Sequence, residues 1–338
     1  MSGVGVATRL DTRWSHHLDE PVVAVVALPD GVVAGGSEGT VHVLGPDGRV
    51  RSRLALDDQL LTLAAAADGT RLAAGGSARM RMWGLPDGRL LLDEPTGWCE
   101  AMGWTDRSGR LAYADGRHVR VVGSDGTALW RSPRLASTCT GLVWVRGERR
   151  VAAAVYQGVS IFEPGTDRLV EHLSAPGSIA GLAAAPNGRW VVGGSQDATL
   201  HGWKVPGGDD FRMSGFPGTV SALAFESTGR WMACDGGTDI ACWDFSGKGP
   251  TGRAALLASG HRDRVTTLGW LPEGRQLVSG DAGGGIALFR IGPGDGPGGS
   301  LRPVWTAATG DAVTAVVGTT GGVLAGHRSG AVVLRSTG

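Results

Sequence analysis

The chain has 338 residues, of which 32 are Lys or Arg and 32 are Asp or Glu, so its formal net charge is zero. This balance argues against a protein that binds nucleic acid or a membrane surface through a basic face. Glycine accounts for 58 residues, about 17% of the chain against the usual ~7%, which is typical of a turn-rich globular protein. Single hydrophobic cores stop growing near ~250 to 300 residues, so this length predicts several domains or a repeat array.

The N-terminal residues show no secretion signal. They lack a charged head followed by an apolar stretch, and no later segment has ~18 consecutive apolar residues. We therefore expect a cytoplasmic protein. Basic residues are nearly all Arg, with Lys only at Lys204 and Lys248, which indicates a GC-rich, bacterial genome. The four cysteines contain no CxxC pair, so we expect no structural metal. We also expect no cofactor, because the glycine-rich segments Gly75-Gly76 and Gly283-Gly284-Gly285 have no following helix that could bind a phosphate.

One pattern of three short apolar runs recurs along the chain and is clearest between Ile179 and Trp203. Pro186-Asn187-Gly188 is a hairpin signal between its first two runs, and Ser195-Gln196-Asp197 turns the second run into the third. The unit is therefore predicted to be a meander of three antiparallel strands. Its first strand opens, at intervals of 38 to 48 residues, at Val22, Leu60, Cys99, Cys139, Ile179, Val220, Val265 and Val313.

Each copy also predicts a third strand, and most copies are followed by an outer strand. The predicted third strands are Val41 to Leu44, Met80 to Trp83, Val119 to Val122, Val159 to Phe162, Leu200 to Trp203, Ile240 to Trp243, Ile286 to Phe289 and Ala331 to Leu334. The predicted outer strands are Arg51 to Ala55, Leu90 to Asp93, Ala128 to Ser132, Arg168 to Leu173 and Leu301 to Trp305. Eight meanders have only seven gaps between them, so the alternating segment Thr8 to Trp14 is predicted to complete the last one.

The period of about 40 residues and two local motifs resemble the WD40-repeat family of β-propellers. Gly260-His261 is similar to the family's Gly-His opening, and Ser195 to Trp203 resembles its Ser-x-Asp-Gly-Thr ending with a terminal Trp. Only the seventh copy keeps the His, only the fifth keeps an Asp six residues before the Trp, and a Trp ends the third strand only at Trp83, Trp203 and Trp243. The family's His/Ser/Asp/Trp hydrogen-bonded tetrad is therefore complete in no copy.

The resemblance and the repeat predict an all-β fold. We expect a single closed β-propeller over residues 1–338, with eight four-stranded blades and seven as the alternative. Residues 1–20 would form the closing outer strand of the last blade, pairing the two chain ends. The predicted repeats start near residues 21, 57, 96, 136, 175, 215, 260 and 309.

Large aromatic residues recur in one slot of the repeat, five residues after the opening, at Trp104, Trp144, Phe225 and Trp270. A slot filled by aromatic residues or by alanine in successive copies is typical of packing between blades. Cys99 and Cys139 align with the opening valines, which indicates small buried hydrophobic residues. A second interpretation makes Cys99 a thiol nucleophile beside Glu100 and His118.

Candidate binding residues cluster at the end where the chain enters the innermost strand. Strand alternation turns the neighbours of each opening residue away from the core, and the turns between second and third strands lie at the same end. The predicted binding residues are Gln59, Trp98, Glu100, Arg117, His118, Tyr156, Gln157, Asp235, Arg264, Asp281, His327 and Arg328. We call this end the rim. In WD40 propellers the rim is the usual partner-binding surface, and the alternative is a solvated rim around a water-filled channel.

These features favour a non-catalytic protein–protein interaction module, a scaffold or adaptor with a protein partner on the rim. Exposed Trp, Tyr and Arg dominate interface energetics, which supports Trp98, Tyr156 and Arg264. The alternative is an enzyme or small-molecule binder at the channel mouth, with Glu100, Asp235 or Asp281 as acid or base. A carbohydrate-binding propeller is disfavoured, because only Trp98 is an aromatic residue at such a rim position.

Two further segments have simpler interpretations. The Gly- and Pro-rich stretch from Gly292 to Pro303 predicts a mobile loop between the third and outer strands of the seventh repeat. Arg146 to Arg150 predicts a basic, solvated hairpin tip on the face opposite the rim.

Overall fold

The computed structural model describes residues 10–336, which contain 31 β-strands and no helix. Residues 1–9 of the predicted closing strand, which include Thr8 and Arg9, lie outside the described residues. The strands form antiparallel meanders in which first, second, third and outer strands pair in chain order. All eight predicted third strands are present, and the predicted all-β propeller fold is confirmed.

The first three sheets each hold four strands. They comprise β2 (Val22–Leu28), β3 (Gly31–Gly36), β4 (Thr40–Leu44) and β5 (Val50–Ala55); β6 (Leu60–Ala65), β7 (Arg71–Gly76), β8 (Arg79–Gly84) and β9 (Arg89–Pro95); and β10 (Met102–Trp104), β11 (Leu111–Asp115), β12 (His118–Val122) and β13 (Ala128–Arg131). A six-stranded sheet follows, with β14 (Gly141–Val145), β15 (Arg150–Phe162), β16 (Leu169–Ala184), β17 (Trp190–Ser195), β18 (Leu200–Lys204) and β19 (Asp210–Met213).

Two of the last three sheets include a strand from a distant part of the chain. They comprise β20 (Leu223–Phe225), β21 (Trp231–Gly236), β22 (Asp239–Asp244), β23 (Leu256–Ser259) and β27 (Ser300–Leu301); β24 (Val265–Trp270), β25 (Gln276–Asp281), β26 (Gly285–Arg290) and β28 (Trp305–Ala308); and β29 (Val313–Thr319), β30 (Gly322–His327), β31 (Ala331–Ser336) and β1 (Asp11–His17).

Hydrogen bonding thus gives seven sheets among the described residues, which matches the alternative count of seven blades and not eight separate ones. The difference lies in the six-stranded sheet, which carries both the fourth and the fifth predicted repeats. Its strand β16 runs without interruption from the outer strand of one repeat into the first strand of the next. The pair Tyr156 and Ser178 continues the ladder across this junction, so the two repeats are not separate sheets.

The chain nevertheless reverses inside β15. A straight strand of 13 residues would separate its ends by about 40 Å, whereas Arg150 Nε and Glu163 Oε2 are only 3.6 Å apart. Gln157 and Gly158 have positive φ angles of 67° and 138°, which places the turn at these two residues. The predicted second and third strands of the fourth repeat are therefore the two arms of this hairpin.

The repeated positions have equivalent roles in the core. All eight predicted opening residues are buried, with at most 1% of their surface exposed. The aromatic slot joins adjacent repeats, as its recurrence predicts. The indole N–H groups of Trp104, Trp144 and Trp270 each donate to a backbone carbonyl in the first strand of the preceding repeat, at 3.1, 2.8 and 3.0 Å.

The N-terminal strand β1 pairs with β31 as predicted, with register from Asp11 opposite Ser336 to His17 opposite Ala331. Among residues 10–336, no backbone ladder joins this last sheet to the first, so the ring is not closed by a continuous sheet. Side chains make the contact instead. Trp14 Nε1 donates to Pro46 O at 3.0 Å, and His16 Nε2 lies 2.8 Å from His42 Nδ1. We call these contacts the seam.

The histidine pair makes the seam sensitive to acid. A hydrogen bond between two imidazoles needs one donor and one acceptor, so it is lost when both rings are protonated. Burial lowers the pKa of both His16 and His42, and Arg53 lowers both further. His17 also lowers the pKa of His16, whereas Asp19 and Glu20 oppose the shift at His42.

We expect the free energy of unfolding to fall as the pH drops below 6.5, the ordinary histidine pKa. The folded pKa values are lowered, so the unfolded chain binds more protons and acid favours it; this contribution is complete above pH 6.5. Urea titrations from pH 7.5 to 5 measure the effect. His16→Phe should flatten the pH profile, whereas His17→Phe should reduce the pH dependence much less, because His17 is only the smallest of the causes that lower the His16 pKa. Equal profiles for the wild-type chain and His16→Phe would contradict this role.

The Gly- and Pro-rich stretch departs from its prediction. The predicted outer strand Leu301 to Trp305 is wrong, because the outer strand of the seventh repeat is β28, which begins at Trp305. Within the stretch, β27 forms a short parallel pairing with β23 of the preceding sheet. Leu301 is buried against that sheet, and Leu257 N donates to Gly299 O at 3.0 Å. The segment is a strap between the two sheets and not the predicted mobile loop.

Candidate functional site

The predicted rim residues come from two places in the repeat, the first-strand openings and the second-to-third turns. Both places lie at the same end of the fold. Backbone N–H groups at three openings, those of Cys99, Cys139 and Val265, donate to second-to-third turns of the preceding repeat, at 2.9, 3.0 and 2.8 Å. These bonds bring the start of each first strand against a neighbouring turn. The rim is therefore formed by residues from successive repeats and is held by backbone contacts.

Arg117 and His118 support the rim from within. The Arg117 guanidinium donates from Nε and Nη2 to Leu135 O, at 3.1 and 2.9 Å, and from Nη2 to Ala136 O at 2.6 Å. His118 Nδ1 lies 3.1 Å from Ser132 O. Both side chains therefore hold the connection between the third and fourth repeats, which limits their availability to a ligand.

Asp235 and Arg264 also have internal partners. Asp235 is only 2% exposed, and its Oδ1 accepts from the N–H groups of Ser221 and Ala222, at 3.0 and 3.2 Å. Arg264 Nη2 lies 3.9 Å from Asp235 Oδ2 and donates to Thr219 O at 3.1 Å. Burial raises the pKa of Asp235 although these N–H groups favour its ionised form. A raised carboxyl pKa is typical of an acid catalyst, but the Asp235 carboxyl group is buried against the chain segment at Ser221 and Ala222.

Asp281 and His327 are buried as well. The Asp281 carboxylate accepts from Gly283 N and Gly285 N, at 3.0 and 2.7 Å, and lies 2.7 Å from His261 Nδ1. His261 Nε2 lies 2.7 Å from Ser279 Oγ, so three members of the WD40 tetrad are assembled here. Phe289 takes the fourth place, with its ring centroid 6.5 Å from that of His261. His327 Nδ1 lies 3.2 Å from Asp311 O.

The other predicted binding residues keep their functional groups available. Within residues 10–336, no hydrogen bond or ion pair engages the polar side-chain atoms of this group. It comprises Gln59, Trp98, Glu100, Tyr156, Gln157 and Arg328. All are exposed except Glu100, which is half-buried. The predicted binding residues thus divide into six that brace the rim and six that face solvent.

Trp98 and Tyr156 are held on one rigid part of the rim, which we call the aromatic platform. Gly116 N donates to Trp98 O at 3.2 Å, and Gly116 O accepts from Cys139 N at 3.0 Å. Tyr156 N is bonded to Ser137 Oγ at 2.8 Å. The two aromatic side chains are 42% and 53% exposed. A fixed backbone therefore presents two large aromatic groups to solvent from neighbouring repeats.

The thiol candidate Cys99 is buried, with none of its surface exposed. Burial raises its thiol pKa well above the usual range, with small further contributions from Cys139 and Asp115. A nucleophilic cysteine needs an accessible thiolate. Neither condition is met, and the sulfur packs in the core as the alignment with valine predicts.

Carboxylates that brace the rim were missed by the sequence reasoning. Asp58 accepts from Ser77 Oγ and Ala78 N, both at 2.7 Å, and Asp115 accepts from Gly97 N at 2.8 Å. Glu20 accepts from Glu38 N and Thr40 N in the first repeat. The available signal was an acidic residue just before an opening or at the end of a second strand, but its partners are backbone groups that composition does not reveal.

No cluster of three or more His, Cys, Asp or Glu within residues 10–336 is arranged to hold a metal ion. The same residues include no helix with the length and apolar character needed to cross a membrane.

Two segments, residues 167–204 and 254–290, match the family model of the WD domain, G-beta repeat, known as WD40. They contain the two motifs on which the resemblance was based. The matched repeats and the observed architecture fit a WD40 β-propeller. This is a class whose members generally serve as protein-interaction scaffolds. A search of curated protein sequences found no match.

Two solved structures have a similar fold along nearly the whole chain. The computationally designed Ika8 protein is 20% identical, with a TM-score of 0.80 over 95% of this chain and 97% of its own. Sqt1 from Chaetomium thermophilum is 19% identical, with a TM-score of 0.81 over 98% of this chain and 100% of its own. At this identity the likeness concerns the fold alone.

Proposed function

We propose that this chain is a non-catalytic protein-interaction module that binds a protein partner at the aromatic platform of the rim. The observation that carries the proposal is the exposure of Trp98 and Tyr156 on a backbone fixed by hydrogen bonds. Rigid, exposed aromatic residues bury a large apolar area at little entropic cost, and they are enriched among residues that dominate binding energy.

Four other rim residues keep free polar side chains, and two of them, Glu100 and Gln157, lie within two residues of the platform in the chain. Gln59, Glu100, Gln157 and Arg328 carry both charges and both hydrogen-bonding roles, which is the composition of an interface rim. The chain's formal charge of zero gives no preference for a strongly charged partner. Shape and aromatic contacts would therefore determine the affinity.

The enzyme alternative has less support in the geometry. Two of its three proposed acid–base groups, Asp235 and Asp281, are buried and bonded to backbone N–H groups. Glu100 is half-buried without a bonded partner among the described residues. One free carboxylate without a positioned second group does not form an acid–base pair.

The test is affinity capture from a lysate of the source organism by the immobilised full chain, with quantitative identification of retained proteins. We expect a specific partner whose retention falls at least about tenfold when Trp98→Ala and Tyr156→Ala are combined, since truncating two central aromatic residues removes more than about 1.4 kcal/mol. Both side chains are largely exposed, so the variant should melt within about 2 °C of the wild-type chain.

Leu129→Ala with Leu169→Ala is the matched control. These leucines are equally exposed, at 51% and 46%, but they lie on outer strands away from the rim. Partner retention should be unchanged in this variant. Equal retention by the platform variant and the control, or no enriched protein at all, would contradict the proposal.

A further inference from the structure

Three consecutive hairpins meet on the face opposite the rim, and each contributes arginine. They connect β10 to β11, β14 to β15, and β16 to β17. Between them lies a cleft of about 390 Å³ whose lining includes Arg107, Arg146 and Glu148. A second cleft of about 320 Å³ adjoins it, lined by Arg146, Arg149 and Arg189. We call the combined space the arginine cleft.

The first two of these hairpins are locked together by bonds between the third and fourth repeats. Glu148 Oε1 and Oε2 accept from Arg107 N and Ser108 N, at 2.8 and 3.3 Å. Arg110 Nη2 donates to Glu148 O at 2.6 Å, and its guanidinium lies 5.0 Å from the centre of the Trp144 ring. These bonds fix the first two hairpin tips relative to each other, so the part of the cleft between them is preformed.

The same bonds hold the nearest acidic group, Glu148, against the adjacent hairpin. Its carboxylate accepts from Arg107 N, Ser108 N and Ser108 Oγ, and from none of the free guanidinium groups. Within the described part of the chain, the guanidinium groups of Arg107, Arg146, Arg149 and Arg189 have no hydrogen-bond acceptor or carboxylate partner. Four cations thus face two carboxylates, Asp106 and Glu148, in a chain of zero net charge.

The backbone brings these cations close together. Gly147 and Gly188 line both clefts, so no side chain separates the tips of the fourth and fifth repeats. A Cβ added at Gly188 would lie 3.0 Å from Arg146 N, so a larger residue would push the hairpins apart. Arg146 itself has a φ of 57°, a left-handed conformation that is unfavourable for a non-glycine residue.

We propose that the arginine cleft binds a small, multiply charged phosphate-type anion. Guanidinium groups bind phosphate oxygens through paired, charge-assisted hydrogen bonds. Several unpaired cations are better matched by an anion with two or more charges than by a single carboxylate. The cleft volume lies in the range of ~300 to 1,000 Å³ that is usual for small-molecule sites. This site is separate from the platform, so it stands whether or not the protein partner is found.

The experiment measures the melting temperature of the full chain with sodium pyrophosphate at constant ionic strength, adjusted with NaCl. Binding to the folded state alone should raise the melting temperature by about 2 °C or more at ten times the Kd. Isothermal titration with pyrophosphate then gives the Kd. It should increase with NaCl, because salt screens exposed charges.

The variant Arg107→Gln with Arg189→Gln removes one cation from each flanking hairpin, and we expect its Kd for pyrophosphate to be at least tenfold higher. Arg13→Gln with Arg134→Gln removes two exposed arginines elsewhere and should leave the Kd unchanged. The proposal is overturned if the melting temperature does not respond to 10 mM pyrophosphate, or if both variants lose binding equally. It is also overturned if citrate or a short single-stranded DNA binds more tightly than pyrophosphate.

Discussion

A chain lacking residues 1–17 should melt at a markedly lower temperature than the full chain. Removing β1 leaves the outer edge of β31 unpaired along its register from Ala331 to Ser336 and abolishes the seam contacts of Trp14 and His16. Loss of a packed tryptophan and of a strand's hydrogen bonds costs about 3 to 5 kcal/mol. Scanning calorimetry or circular dichroism would show a fall of about 4 to 7 °C.

The control keeps the strand and changes only its surface. Arg13→Ser with Ser15→Ala alters two exposed positions of β1 and should shift the melting temperature by less than about 2 °C. An unchanged melt for the shortened chain would show that β1 does not stabilise the propeller, and the seam would then have no structural role.

Asp281→Ala should produce the largest effect of a single substitution at the rim. The change leaves His261 and the N–H groups of Gly283 and Gly285 without their buried acceptor. Breaking a buried, hydrogen-bonded charged group in this way costs about 3 to 5 kcal/mol. Chemical denaturation of the full chain measures the loss, and Asp281→Asn should retain part of the stability because its amide oxygen still accepts.

Asp197→Ala is the matched comparison for this substitution. Asp197 occupies a second-to-third turn in the fifth repeat and accepts from Thr199 Oγ1 at 2.5 Å, but its side chain is 39% exposed. Water can replace that bond, so the expected loss is below about 1 kcal/mol. If both substitutions lowered the free energy of unfolding by similar amounts, the buried His261 network would add no more stability than an exposed hydrogen bond.

Much of the fold could be predicted because each position of the repeat occurs in several copies along the chain. The opening residues, the third strands and the aromatic slot are defined by recurrence, and their burial follows from strand alternation. The sheet count could not be predicted in this way. Whether Ala175 to Ser178 breaks or continues a ladder depends on local backbone geometry, which the apolar pattern does not contain.

The strap shows a second limit of predicting structure from the sequence. Gly292 to Pro303 has the composition of a flexible loop, yet Leu301 is buried because a complementary edge on β23 is available to it. That edge belongs to another repeat. A local reading of composition cannot include the surface against which a segment packs, so both the predicted mobility and the predicted strand bounds were wrong.

The sequence predicted which end of the fold carries the candidate site, but not which side chains there are free to bind a partner. Strand alternation correctly places Trp98 in solvent, and a second-to-third turn correctly places Tyr156 there. The same two arguments predict that Arg264 and Asp235 are equally free, although the structure bonds both to rim connections. The arginine cleft follows from comparing equivalent hairpin tips in successive repeats, because neighbours in a repeat array are neighbours in space.

The pairing of β1 with β31 also affects the order of events during synthesis. At ~5 to 20 residues per second, roughly 15 to 60 s pass between the emergence of these two strands from the ribosome. Throughout that interval the nascent N-terminal strand has no partner of its own. The edge that it will cover is the last to appear, so two chains made close together can exchange their first strands before either ring is complete.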